Sequence, residues 1–206
     1  YRTGLILETT YSASPQYDTN FTTAQFIDQT MFIGSENLGV LKSSLEMPNA
    51  FEEICPDGPL LNTPFALKYA YENLWVTYGD YDQDFNPSPL KTHGFSYYEN
   101  EKWNNITYAS IQELIQKPIY NLNAIAVNPV NANQVFISSF HSGLLDFQKN
   151  ESMVFYDETN SPLQSLVLAG APNYKSIRVS GLQFDDQGYL WSLTSLVDKP
   201  LKKYNP

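Results

Sequence analysis

Four short strands joined by hairpin-length turns, then a gap, then four more: this unit recurs along the chain and predicts an all-β fold of the β-propeller class. It would form a partial ring of three complete four-stranded blades, with a partial blade at each end. Two further observations agree. The residue set is 42 % hydrophobic with 15 Tyr and 12 Phe, which suits pleated, half-buried surfaces. The gaps between strands collect Pro, Asn, Asp and Gly, the residues that end ladders and form tight turns.

The clearest unit runs Leu122–Val127, Gln134–Ser139, Gly143–Phe147 and Ser152–Tyr156, with the Asn128–Asn133 turn between its first two strands and Asn160-Ser161-Pro162 closing it. A second copy starts at Arg178–Phe184, turns at Asp185–Gly188, continues over Tyr189–Thr194 and stops within its third strand after Pro200-Leu201. An earlier copy reads Pro64–Tyr69, Asn73–Gly79, Gly94–Tyr98 and Lys102–Ile106, with an insertion after its second strand. The earliest reads Thr23–Phe26, Thr30–Gly34, Gly39–Lys42 and Phe51–Ile54. Tyr1–Thr10 resembles the third strand of a preceding blade. The expected organisation of residues 1–206 is therefore one propeller fragment of a longer polypeptide. Its blades fall over 1–20 (partial), 21–60, 61–110, 120–165 and 175–206 (partial).

Aligning the second strands brings Phe32, Trp75, Phe136 and Trp191 into register, and large aromatics recurring at one strand position are expected to lie buried between neighbouring blades. One local exception to the strands is Ser110-Ile-Gln-Glu113, which fits a capping box, followed by Leu114 and Ile115 and ended by Pro118, so a short helix is expected there.

With 12 Lys and Arg against 22 Asp and Glu, the net charge of −10 excludes a nucleic-acid partner, because phosphate binding needs clustered cations. No stretch approaches the roughly 18 apolar residues of a membrane-spanning helix.

Residues with chemical potential are few. Asp80, Asp82, Asp84 and Asn86 alternate as in the opening of a calcium loop, but Phe85 stands where such a loop wants glycine and Lys91 where it wants glutamate. This reads as a solvated acidic insertion, with calcium binding left open. His141 lies beside Ser139, Ser142 and Asp146, the residue types of a hydrolytic triad, but on an alternating strand and turn these side chains diverge. His93 sits in a turn before Gly94, and Cys55, the one cysteine, is expected as a small buried hydrophobe. Asn20-Phe-Thr22, Asn105-Ile-Thr107 and Asn150-Glu-Ser152 match the glycosylation pattern and receive no role. Tyr78, Tyr81, Tyr97 and Tyr98 are taken as exposed faces suited to a sugar or peptide. No catalytic, cofactor-binding or metal-ligating residue is assigned, and no cofactor is expected.

The blade Asn128–Phe147, with Tyr156-Asp157 and Asn160–Leu163 after it, resembles the two-component-regulator type of propeller repeat, as does Phe184-Asp-Asp-Gln-Gly-Tyr-Leu-Trp191. Through that blade, Tyr78-Gly79, Pro87–Leu90 and Phe95–Trp103, the chain resembles more narrowly the PorZ-like propeller proteins of the type IX secretion system, over most of residues 60–206. The resemblance implies a non-enzymatic, exported scaffold or binding module, at the cell surface, outer membrane or periplasm. Its implied partners are other secretion-system proteins or surface polysaccharide and lipopolysaccharide, and its implied role is cargo attachment. The alternative is the glycan-sensing extracellular propeller of a hybrid two-component receptor.

Overall fold

A computed structural model describes residues 19–36, 38–44, 46–54, 57–149 and 152–206. The expected strand within Tyr1–Thr10, and Cys55, lie outside the described residues. The chain divides into two units, 1–58 and 59–206.

The first unit holds one sheet of β1 (Phe21–Ile27), β2 (Thr30–Ser35), β3 (Val40–Ser44) and β4 (Met47–Ile54), antiparallel and in chain order. Ile33 and Leu41 form its small core with Phe21, Met31, Leu38 and Phe51. Phe32 points to the opposite face from Ile33 and is half-buried.

The second unit holds three sheets. The first comprises β5 (Ala66–Ala70), β6 (Asn73–Thr77), β7 (Phe95–Glu99) and β8 (Lys102–Ile106). Helix α1 (Tyr108–Ile115) follows. Next come β9 (Leu122–Val127), β10 (Gln134–Ser139), β11 (Gly143–Gln148) and β12 (Ser152–Tyr156). The last sheet is β13 (Val179–Phe184), β14 (Leu190–Thr194) and β15 (Leu201–Tyr204). Each sheet is an antiparallel meander in chain order, the layout of a propeller blade. The first strands β5, β9 and β13 lie beside one another. The helix starts earlier than the capping-box reading: Thr107 is the N-cap, its side chain accepting from Ser110 N, because Thr107 holds the extended backbone a cap requires.

Period-2 alternation on the middle sheet feeds two separate cores. Val135, Ile137, Ile125, Val127, Leu145 and Phe147 turn one way, onto Trp75, Phe95 and Tyr97 of the preceding sheet. Phe136, Ala126 and Leu144 turn the other way, onto Val179, Leu190, Leu182 and Phe184 of the last sheet. Every residue of β10 is consequently buried. Trp75 stacks on Tyr97 with centroids 4.6 Å apart and meets Phe147 edge-on at 6.1 Å.

The aromatic register is visible in the strand pairs Phe32↔Lys42, Trp75↔Tyr97, Phe136↔Asp146 and Trp191↔Lys203. Burial follows at two of the four positions. Trp75 and Phe136 are buried between consecutive sheets. Trp191 is only half-buried, which corrects the expectation. Leu190 takes the face against the middle sheet, so Trp191 takes the other, donating its indole N–H to Asp185 at 2.8 Å under the Lys203 ammonium.

A glycine stands at the start of the third strand in three sheets: Gly39 and Gly94 just before it and Gly143 as its first residue. At Gly94 and Gly143 a Cβ would overlap the carbonyl oxygen that ends the fourth strand, that of Ile106 or Tyr156, and Gly143 also has φ +135°. Gly143→Ala is expected to cost about 3 kcal/mol, from overpacking together with backbone strain. Gly170→Ala, at φ +82° with open space around the position, should cost about 1 kcal/mol. Urea denaturation of the two variants measures the difference.

Candidate binding edge

An antiparallel meander puts alternate connections at opposite ends of its sheet. In the second unit, one end therefore gathers the insertion between β6 and β7 (78–94), the β10–β11 turn (140–142) and the segments leading into β9 and β13. The singled-out side chains Asp80, Asp82, Asp84, Asn86, His93 and His141 all lie at this end.

The insertion is anchored by Asn121, at the head of β9. Its Nδ2 donates to Asp80 O at 2.6 Å and Pro87 O at 2.9 Å, its Oδ1 accepts from Lys91 N at 3.0 Å, and its own N–H donates to Lys91 O at 3.0 Å. Asn121 holds φ 52°, a left-handed conformation that Asn tolerates better than most residues. Gly79 N–H also donates to Leu122 O at 2.8 Å, an approach with no room for a Cβ.

The acidic residues of the insertion serve different partners. Asp82 Oδ1 accepts the backbone N–H groups of Asp84 at 2.9 Å and Asn86 at 2.8 Å, and the Asn86 bonds hold its carboxyl below the usual range. Asp80 pairs with Lys91. Among the described residues, no three His, Cys, Asp or Glu side chains converge to hold a metal. Aromatic contacts carry the insertion onward: Tyr81 meets Phe65 at 5.1 Å, Phe85 at 5.3 Å and Phe140 at 4.4 Å.

Beside it is a cleft of about 250 Å³, lined by Tyr120, His141, Ser142, Lys175 and the Lys117–Asp157 ion pair at 2.7 Å. The His141 ring sits edge-on to Tyr120 at 5.4 Å and Tyr174 at 6.3 Å. Burial, and then the Arg178 charge, lower the His141 pKa. His93 lines a neighbouring hollow with Leu61, Tyr78 and Tyr108, and desolvation lowers its pKa too.

The triad residue types do not assemble. Ser139 Oγ donates to Tyr120 O and accepts from Ser142 N at 2.7 Å, so it builds the turn. Ser142 Oγ accepts from Tyr120 N at 3.1 Å and stands 3.5 Å from His141 Nδ1. Asp146 is buried on β11, where Gln134 Nε2 donates to it at 3.0 Å and Gln148 Nε2 at 3.3 Å, and desolvation raises its pKa.

The tyrosines need correction as well. Tyr78 is buried, its hydroxyl 2.6 Å from Ser96 Oγ, and Tyr97 is buried beneath Trp75. Tyr97 packs with Trp75 in the core against the middle sheet, and Tyr78 buries an apolar ring whose hydroxyl is satisfied by Ser96. Tyr81 is half-buried in the aromatic run, and Tyr98 stays partly exposed against Trp103. Asn105 Oδ1 accepts from Ser96 Oγ at 2.7 Å and Asn20 Nδ2 donates to Glu36 at 2.8 Å, while Asn150 lies outside the described residues. Sequence reasoning passed over Asn121, Phe140 and Arg178. Arg178 carried a signal, being one of two arginines in the chain and set at the head of an apolar strand.

No family model and no curated protein sequence matches this chain. Solved structures do. PorZ is described as an essential bacterial surface component of the type-IX secretion system of human oral-microbiomic Porphyromonas gingivalis. It superposes at TM-score 0.67 with 20 % identity, over 87 % of this chain and 23 % of that one. The fold is that of β-propeller blades. Two B. thetaiotaomicron chains also match. The extracellular domain of the hybrid two component system BT3049 does so at TM-score 0.38, with 13 % identity over 96 % of this chain and 29 % of that one. That of the one component system BT4673 does so at 0.35, with 13 % identity over 95 % and 28 %. The chain spans under a third of the length of each of these three structures.

Asn121→Ala removes the three side-chain hydrogen bonds that anchor the insertion, each worth about 1 kcal/mol. Limited proteolysis is expected to cut between Tyr81 and Asn86 at least tenfold faster in the variant, through local opening.

Proposed function

We propose that this chain is a binding module of an exported protein, non-enzymatic, located at the cell surface or in the periplasm, and acting in type IX secretion and cargo attachment. Its partners on this reading are other secretion-system proteins or surface polysaccharide. The observation that carries the reading is the similarity to the PorZ structure across 87 % of the chain. Two features of the binding edge support it. The serines and the carboxylate that a hydrolytic site would need are committed to turns and to buried amides. The same edge presents aromatic faces and half-buried polar groups in a cleft, which suits recognition.

Deleting the gene in its native organism and measuring surface display of secreted cargo tests this. The reading predicts that cargo fails to reach or stay on the surface. Normal display contradicts it.

A further inference from the structure

Two cations are buried among the described residues, Lys149 and Arg178, and their surroundings differ. Lys149 Nζ meets Glu99 Oε1 at 2.6 Å and lies over the rings of Trp75 at 5.3 Å and Tyr97 at 5.1 Å. Arg178 is 9 % exposed and has no carboxylate within ion-pair distance among the described residues. Its Nε donates to Ser176 Oγ at 3.3 Å and its Nη1 to Phe85 O at 3.0 Å, both neutral acceptors, and Nη2 makes no hydrogen bond among the described residues. Phe140 lies against the guanidinium at 5.9 Å.

A cation withdrawn from water without a counter-charge is costly, and buried charges are ordinarily paired. Asp82 feels the Arg178 field only as the last of several influences on its carboxyl, and its oxygens already accept from Asp84 and Asn86. The guanidinium is also held rigidly. Ile177 N–H donates to His141 O at 2.7 Å, tying the segment before β13 to the β10–β11 turn, and the insertion reaches it through Phe85. A planar fork fixed in this way, with donors left over, matches the two oxygens of a carboxylate or phosphate.

We propose that Arg178 is an oxyanion-binding site, receiving the carboxylate or phosphate group of a small ligand at the edge formed by the insertion, the β10–β11 turn and the head of β13. The site concerns the purified chain and stands whether or not the protein serves secretion.

The test titrates the protein with sodium glucuronate and, separately, with sodium phosphate at constant ionic strength, following thermal unfolding. The comparison is with Arg178→Met, which keeps the length and apolar packing and removes the charge. One anion or both should raise the wild-type melting temperature saturably, by about 3 °C or more, with no such rise in R178M. The anion that acts identifies a carboxylate or a phosphate as the recognised group. Equal shifts in both proteins, or no saturable shift with either anion, overturn the proposal. Should R178M fail to fold, wild-type crystals soaked in each anion decide. An oxyanion hydrogen-bonded to Arg178 supports the site, and its absence there overturns it.

Discussion

The second unit depends on the burial of both faces of its middle sheet. A strand covered on one side alternates apolar and polar residues, whereas β10 is buried at every position because its neighbours cover both sides. Val135 and Ile137 hold the preceding sheet and Phe136 holds the following one, so a single six-residue strand joins two cores. Each large side chain buried there contributes about 2–3 kcal/mol. Stacked repeats gain stability in this way, since each sheet covers a face that its neighbour cannot cover alone.

Polar groups trapped between the sheets follow the same logic. Thr77 Oγ1 donates to Asn123 O at 2.5 Å, and Ser138 Oγ donates to Asn123 Oδ1, so strands β6, β9 and β10 are pinned by satisfied hydrogen bonds. The Asn128–Gln134–Asp146 chain links successive strands within the middle sheet, at 2.7 Å and 3.0 Å. Lys149 extends the interface outward by pairing with Glu99 over the Trp75 and Tyr97 rings. Arg178 lacks such a partner among the described residues, which sets it apart as a group suited to binding.

Strand order was legible in the sequence because turn residues punctuate the hydrophobic runs, and each sheet follows chain order. Burial was legible only for side chains whose covering sheet follows in the chain: Trp75 and Phe136 meet the next sheet, whereas Trp191 faces away from the second core. The tyrosines misled for a related reason. Tyr78, just past the end of β6, and Tyr97, in the middle of β7, are both buried once the register is set, and no local pattern carries that. The anchoring by Asn121 was hidden too, because its partners Asp80, Pro87 and Lys91 lie 30 or more residues away. The acidic alternation of the insertion was plain to read, but what each carboxylate bonds depends on how the loop turns.

Native-state hydrogen exchange of the purified chain tests the central claim, that double-sided burial of the middle sheet holds the second unit together. The backbone amides of β10, Gln134–Ser139, should exchange last, at least about tenfold more slowly than those of β15, Leu201–Tyr204, which is covered less. Equal exchange in the two strands, or faster exchange in β10, would contradict the account.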